Sequence, residues 1–440
     1  MRNFAVSFAH FASKLTNEPL NSRLWEGKLN LTMGDPLDEI IKTYDPDAPL
    51  GEASTIPSSW YTDERVFELE RQTVFGRSWQ FAARIDQLRS PGDFVTSEIA
   101  GEPIVIVRGS DNVVRGFFNV CRHHAAAVMT EPAGHASQMR CPYHGWTYSL
   151  EGELKGTPDF GGVCNFDREQ NGLAPIEISV WENWVFVRLE GGQVGHLNSG
   201  PAVRGPRRGS PAGVLDPPVT HAQDARATFI DFPGDDLINQ FHKLNLANLQ
   251  WLERRGYTLN CNWKVFVDNY LDGGYHVPHL HKGLDSVLDY SNYTIENGER
   301  FCLQSSPMVT AGAESQTGEV RTGQRALYYW LYPNFMINCY EGVMDTNMVR
   351  PLAIDRTEVI FDFYFADVSA SARERNRASV DVGERIQQED LDICESVQRG
   401  LQSRAYNAGR LSVRREAGEH LFHRLLHADL KAGADTTADR

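Results

Sequence analysis

Two short cysteine–histidine pairs constrain this chain more than any other feature. Cys121-Arg122-His123 is followed, seventeen residues on, by Cys141-Pro142-Tyr143-His144-Gly145-Trp146. Spacings of C-x-H and C-x-x-H place a thiol and an imidazole on one side of a tight loop, and two such loops facing each other make a four-ligand site. The segments around them read as short strands, so a small β domain should carry the loops. Seven cysteines in 440 residues exclude a disulfide-dense secreted scaffold and favour a reducing compartment. Beyond Cys121 and Cys141, the others (Cys164, Cys261, Cys302, Cys339 and Cys394) read as free thiols.

Two metals suit two thiolates and two imidazoles. One is tetrahedral zinc. The other is a Rieske [2Fe–2S] cluster, with two Cys on one iron and two His on the other. Zinc fingers usually separate the Cys pair from the His pair, whereas each pair here is mixed, which suits a cluster clamped between loops. Structural zinc stays as the alternative. His124 adjoins His123, but the C-x-H spacing prefers His123. The pattern C-x-H…C-P-Y-H-G-W resembles the Rieske domain of the large (alpha) subunits of Rieske non-haem iron oxygenases. That resemblance implies a cluster on Cys121, His123, Cys141 and His144, and a mononuclear Fe(II) site downstream.

A histidine cluster with nearby acids lies where the resemblance asks for it, in Asp268-Asn269-Tyr270-Leu271-Asp272-Gly273-Gly274-Tyr275-His276-Val277-Pro278-His279-Leu280-His281. A 2-His-1-carboxylate triad needs two imidazoles on one metal face. His276 is expected at a helix end, with Pro278 breaking the helix so that His281 returns beside it. His279 is a third candidate, and the family's H-x4-H pattern selects His276 and His281. The carboxylate is expected from Gln388–Gly400. On a helical period Ile386, Ile393, Cys394, Val397 and Leu401 form an apolar stripe with Asp390 at its centre, whereas Asp392 and Glu395 point away and Glu389 lies on the flank. A carboxylate aimed into a core is costly unless it is paired or bound to a cation. The family pattern also gives Asp390, and a buried Asp–Arg pair is the competing explanation. Asp272, four residues before His276, would share its helix face. The resemblance implies that such an acid bridges the first His to a cluster histidine of a neighbouring subunit, although family members often place it three residues before. Asp268 competes for that role.

The fold class expected is α+β, a Rieske β domain plus a catalytic domain whose antiparallel sheet is covered by helices. The boundaries read as an N-terminal extension over 1–58, a helix packing on the catalytic domain over 59–84, the Rieske domain over 85–190, a Gly/Pro/Ser/Arg-rich linker or insertion over 191–225, the catalytic domain over 226–430, and a tail over 431–440. Thr62 is the expected N-cap of a helix running to about Trp79. Residues 103–107 and 113–120 form a hairpin around Gly109-Ser110-Asp111-Asn112, and strand is expected over 180–189, 326–336 and 359–365. A long helix should run from near Ala372 to before Gly400. Met1–Asn17, basic and without acids, is compatible with an organelle transit peptide or with a frayed terminus.

Lys+Arg total 43 against 58 Asp+Glu, a net charge of −15, which argues against nucleic acid. No apolar run approaches the ~18 residues of a membrane span. The chain is therefore expected in a soluble, reducing compartment: cytoplasm, or chloroplast stroma or mitochondrion if the N-terminus is a transit peptide. Within the family, Asp268–Pro278, Tyr332-Pro333-Asn334-Phe335-Met336-Ile337-Asn338 and Met344-Asp345-Thr346-Asn347 resemble the choline monooxygenases. This implies O₂-dependent oxidation of a small cationic trimethylammonium compound, most simply choline to betaine aldehyde hydrate, the first step of glycine betaine synthesis. Carnitine- or betaine-type monooxygenation, aromatic-ring dihydroxylation and a purely electron-transferring Rieske protein are the rivals. An aromatic box suits a quaternary ammonium, and Tyr328, Tyr329, Trp330, Tyr332, Phe335 and Tyr340 offer rings in one stretch, although strand aromatics are more often core. Val343 stands where the compared sequences carry Trp, and Glu341 is a possible charge in compensation. With no nucleotide fingerprint and no four-Cys ferredoxin pattern, the electrons must come from an external ferredoxin or reductase. The family also implies a homotrimer.

Overall fold

The computed structural model describes residues 36–189, 234–309 and 316–438. The expected transit segment and the whole of the expected linker lie outside them. In the first half, β1 (Gln80–Arg84), β2 (Asp93–Ile99), β3 (Glu102–Arg108), β4 (Val114–Phe118) and β5 (Ala133–His135) are followed by the short β6 (Met139–Arg140), β7 (Thr147–Tyr148) and β8 (Leu154–Gly156), then β9 (Pro175–Trp181) and β10 (Trp184–Arg188). Seven of them form an antiparallel sheet in the order β1-β10-β9-β4-β3-β2-β5, and β6-β7-β8 form a small second sheet. The expected hairpin is β3–β4, with Ile104 opposite Phe118. Ile104, Val105, Ile106 and Val107 are all buried because β3 is covered on both faces. The strand expected over 180–189 is a hairpin, with Trp184 opposite Trp181.

The second half builds a seven-stranded antiparallel sheet in the order β11-β17-β16-β15-β14-β13-β12. Its members are β11 (Gln250–Leu259), β12 (Thr294–Asn297), β13 (Phe301–Pro307), β14 (Arg325–Leu331), β15 (Phe335–Tyr340), β16 (Val343–Ala353) and β17 (Arg356–Phe365). Side-chain alternation divides this sheet. Tyr329, Leu331, Phe335, Ile337, Met344 and Tyr364 pack with Trp181, Trp184 and Phe186 of the first domain. Trp330, Tyr332, Met336, Val349, Phe361 and Phe363 pack on the other face, against helices Trp263–Leu271, Arg373–Leu401 and Ala417–Ala438. The chain is thus α+β, with one β domain leaning on a helix-covered sheet.

Several local expectations change. The helix before β1 is Glu64–Glu70, capped by Asp63, whose carboxylate accepts from the Arg65 N–H, and it ends in a wide turn over Arg71–Phe75. Thr62 closes a separate short helix, Ser58–Thr62, because Asp63 supplies the better acceptor. Gln80–Arg84, grouped above with the helix, is the edge strand of the first sheet. Leu37–Ile41, within the expected extension, buries Ile40 and Ile41 in the catalytic core. The expected tail is helical to Ala438, with Ala434 buried.

One polar contact pins the helix that leads to the histidines. Lys264 and Glu70 are both fully buried and 2.6 Å apart, and the Trp263 indole donates to the same carboxylate at 2.8 Å. Burial raises Glu70 and lowers Lys264, and each is opposed by the other's charge. Removing one partner strands a charge. Lys264→Met is therefore expected to destabilise the protein by about 3–5 kcal/mol, read from chemical denaturation, and the double variant Glu70→Gln/Lys264→Met should recover part of the loss.

Candidate metal centres

The two Cys–His loops are geometric twins. In the first, the Cys121 N–H donates to Ala126 O at 2.8 Å and the Ala125 N–H donates back to Cys121 O at 3.0 Å. In the second, Cys141 N–H to Trp146 O is 2.8 Å and Gly145 N–H to Cys141 O is 3.1 Å. The residue four after each cysteine has positive φ, Ala125 at 60° and Gly145 at 71°. Each loop closes over its own cysteine, so both thiols are buried. The Tyr148 hydroxyl lies 3.4 Å from Cys121 Sγ. Backbone N–H groups of Tyr143 and His144 point at Cys141, whose thiol burial pushes up. The His123 and His144 rings are 4.7 Å apart. His123 stacks on Trp146 at 4.7 Å and 7°, whereas Tyr143 beside His144 is 64% exposed. His124 is exposed, its ring 4.1 Å from His123 and 5.4 Å from His144.

The second cluster gathers from two helices and a turn. Helix Trp263–Leu271 ends at Asp272, and Gly273 and Gly274 take φ of 66° and 68°. A Cβ on Gly273 would lie 2.1 Å from Arg415 O, so the turn needs glycine for space as well as for φ. This turn, not Pro278, breaks the helix, and Pro278 sits at the start of the next one, Val277–Leu280. Asp272 and His276 are therefore not on one helix face. They meet across the turn, with Asp272 Oδ2 2.5 Å from His276 Nδ1 and accepting the His276 N–H at 3.0 Å. On the long helix Glu389 lies 2.6 Å from His281 Nδ1. Asp390 Oδ1 is 3.1 Å from His281 Nε2 and 3.9 Å from His276 Nε2. Donor atoms of His276, His281 and Asp390 lie within 4.8 Å of one another. Burial alone would lower the His281 imidazole, but Asp390 and Glu389 outweigh it and raise it.

Asp390 is buried, and it accepts from Asn269 Nδ2 at 2.9 Å rather than from an arginine. The buried stripe is rotated from the expected one. Val380, Gln387, Asp390, Cys394, Gln398 and Leu401 are inside, whereas Ile393 and Val397 are 40% and 43% exposed. His279 is exposed and apart from the cluster. Asp268 turns to another network, accepting from Tyr61 OH at 2.5 Å and lying 3.0 Å from His423 Nε2.

A cavity opens on His276, His281 and Asp390. Its sheet wall contains one cross-strand row, Gln304–Tyr328–Asn338–Asp345, in register from β13 to β16. Of the six rings expected in one stretch, only Tyr328 and Tyr340 line it, with hydroxyls 2.9 Å apart. Tyr329 and Phe335 face the first domain, and Trp330 and Tyr332 sit in the helix-side core. Phe266, Tyr270, Tyr293 and Phe361 complete the aromatic lining. Glu341 is exposed and neither it nor Val343 lines the cavity, so the compensation considered for them has no basis. Burial holds the Tyr270, Tyr293 and Tyr328 phenols well above their usual range, hence neutral.

Residues 78–167 match the Rieske [2Fe-2S] domain, and residues 246–431 match the ring hydroxylating alpha subunit (catalytic domain). The chain is 38% identical over 401 residues to the chloroplastic choline monooxygenase of Arabidopsis thaliana, covering 90% of this chain and 87% of that protein. It is 30% identical over 393 residues to the carnitine monooxygenase oxygenase subunit of Escherichia coli strain K12, covering 85% and 93%. The solved structure of the quaternary ammonium Rieske monooxygenase CntA in complex with L-carnitine superposes with a TM-score of 0.68 at 26% identity, over 90% of this chain and 99% of that one. Naphthalene 1,2-dioxygenase from Rhodococcus sp. shares the fold at 18% identity and a TM-score of 0.67, over 91% and 99%.

Both implied groups fit the donors present. Two buried thiols and two close imidazoles suit a [2Fe–2S] cluster, and His123 Nδ1 is buried without a hydrogen-bond partner among the described residues. Burial, with His124 and His144, pushes His123 down, toward the neutral form that ligates metal. At the second site each imidazole has a carboxylate on Nδ1, which aims Nε2 at the common point with Asp390. Glu389→Gln is expected to weaken Fe(II) affinity about 10–100-fold, measured by metal titration, with the cluster's visible absorption intact.

Proposed function

The chain belongs to the ring-hydroxylating alpha subunits of the Rieske oxygenases, and on that premise we propose that it oxidises a small quaternary ammonium compound by inserting one oxygen atom. It is an oxidoreductase whose family carries a [2Fe–2S] cluster and a mononuclear iron. Cys121, His123, Cys141 and His144 would hold the cluster; His276, His281 and Asp390 would hold the iron. When bound, the iron activates O₂ for C–H hydroxylation with electrons that the cluster accepts singly from an external ferredoxin or reductase.

One observation carries the substrate class: the cavity beside the three donors is walled by neutral aromatic rings. Ring faces attract a quaternary ammonium that has no proton to donate. The same wall excludes water and holds the substrate beside the donors rather than on them. The names of the choline and carnitine relatives support the same class. For choline the balance is R–CH₂OH plus O₂, two electrons and two protons to R–CH(OH)₂ plus water, and the gem-diol then loses water to give betaine aldehyde. A carboxylated ammonium compound of the carnitine or betaine type is the second reading, favoured by a buried arginine, Arg321, among the cavity's residues.

Asp272 would position His276 and link it to a cluster histidine of a neighbouring copy, in a homotrimer. Its side chain keeps 16% exposure while bonded to His276, and His144 and Tyr143 are exposed on the cluster loop. Domain limits near 85–190 and 226–430, joined by a 191–225 linker, belong to the same proposal. No described helix is long and apolar enough to cross a membrane. A soluble organelle or cytoplasmic location follows as a proposal.

His276→Ala should abolish turnover and lower mononuclear iron to background while the cluster's visible spectrum stays intact. Normal turnover in that variant would remove the assignment of the triad.

A further inference from the structure

Three side chains of the cavity carry buried donors with nothing to bond. Arg321, Asn347 and Gln387 are each only 2% exposed. Arg321 Nε, Asn347 Nδ2 and Gln387 Nε2 have no hydrogen-bond partner among the described residues, and all three residues line the cavity. Such groups cost free energy when left unpaired. The orientation of the Asn347 amide is fixed by its neighbours. Asn338 Oδ1 accepts from Tyr270 OH at 2.8 Å, and Asn338 Nδ2 donates to Asn347 Oδ1 at 2.9 Å, which leaves the Asn347 amide N–H groups as the free end of that chain.

Arg321 and Gln387 are set along one face of the helix that carries Asp390. Ser379, Gly383, Gln387 and Asp390 follow helical spacing. The Arg321 guanidinium bonds Ser379 O at 3.3 Å, and a Cβ on Gly383 would lie 3.6 Å from Arg321 Nη2. At about 1.5 Å per residue, Gly383 is about 10 Å along the helix from Asp390, with Gln387 between them. Arg321 pairs with Asp345 and bonds Ser379, yet its Nε keeps no partner among the described residues. Asp345 lies 3.8 Å away, beyond hydrogen-bond reach, and is itself bonded to Asn338 at 2.7 Å. Burial raises the Asp345 carboxyl against the pull of Arg321 and Asn338. A purely cationic ligand can accept from none of these unpaired N–H groups, whereas a carboxylate can accept from all of them.

We propose that Arg321, Asn347 and Gln387 form an oxygen-acceptor subsite that takes the carboxylate of the substrate, so the preferred substrate class is a zwitterionic, betaine-type quaternary ammonium compound. This rests on the quaternary ammonium reading above and selects within it. The ammonium lies against the tyrosines, the carbon to be oxidised faces His276, His281 and Asp390, and the carboxylate accepts from the three donors. Arginine suits the role because its planar fork matches a carboxylate.

Choline and glycine betaine share one trimethylammonium skeleton and differ only in CH₂OH against CO₂⁻, so their affinity ratio isolates the subsite. Calorimetric titration of the iron-loaded full-length protein should give glycine betaine a Kd at least tenfold below that of choline. Gln387→Leu should cut that ratio at least threefold, and Arg321→Gln should bring it near one. If Arg321→Gln does not fold, the wild-type ratio and Gln387→Leu decide. Choline binding as tightly as glycine betaine, as expected if Asp345 were the ammonium's counter-ion, would overturn the proposal, and so would a ratio unmoved by Gln387→Leu. The isostere 3,3-dimethylbutyrate, which keeps the carboxylate but has a neutral carbon in place of the ammonium nitrogen, separates the two readings. If it binds as tightly as glycine betaine, the ammonium reading fails while the carboxylate subsite stands.

Discussion

A carboxylate buried on a long helix is the constraint around which the second half of this protein is arranged. Asp390 projects from the inner face of Arg373–Leu401 and meets Asn269 and two imidazoles, with no arginine bonded to it. An ionised carboxylate there is tolerable only with a cation or a dense set of donors. Every neighbouring element contributes to that requirement. Helix Trp263–Leu271 brings Asn269, the glycine turn brings His276, and the following turn brings His281. Asp272 and Glu389 then hold the outer nitrogens of the two rings, so that the inner nitrogens converge.

The same economy of backbone appears at the cysteine loops. A single hydrogen-bond pattern, closed by a positive-φ residue, occurs once after β4 and once after β6. The two sheets of the first domain anchor the loops, so two buried thiols and two neighbouring imidazoles are presented without any long side chain having to be ordered. Rigidity of this kind lowers the entropic cost of site formation.

Much of the site was legible before the fold. The C-x-H and C-P-Y-H-G-W strings, the H-x4-H pair and the position of Asp390 on a helix face follow from local spacing, which the chain conserves on folding. What failed were statements about which neighbour covers a face. The inner stripe of the long helix is turned so that Gln387 and Gln398 are inside and Ile393 and Val397 are out, because the polar cavity and Asn262 need amide partners there. Strand alternation correctly groups Tyr328 with Trp330 and Tyr332 on one face. Position along the strand then puts Tyr328 over the cavity and the other two under the helices. Tyr270, Tyr293 and Arg321 carried no local signal, since each reaches the cavity from a different element.

The sequence by itself therefore determined the chemistry of the donors, because ligand spacing within a loop or a helix turn depends on a few bonded residues. Tertiary structure alone decided the shape and polarity of the space beside them. The row Gln304–Tyr328–Asn338–Asp345 exists only once four strands pair in register. The unpaired donors of Arg321, Asn347 and Gln387 are defined only by what the folded chain leaves unbonded. Metal-binding chemistry is short-range along the chain, whereas substrate selection is a sum over contacts between distant segments.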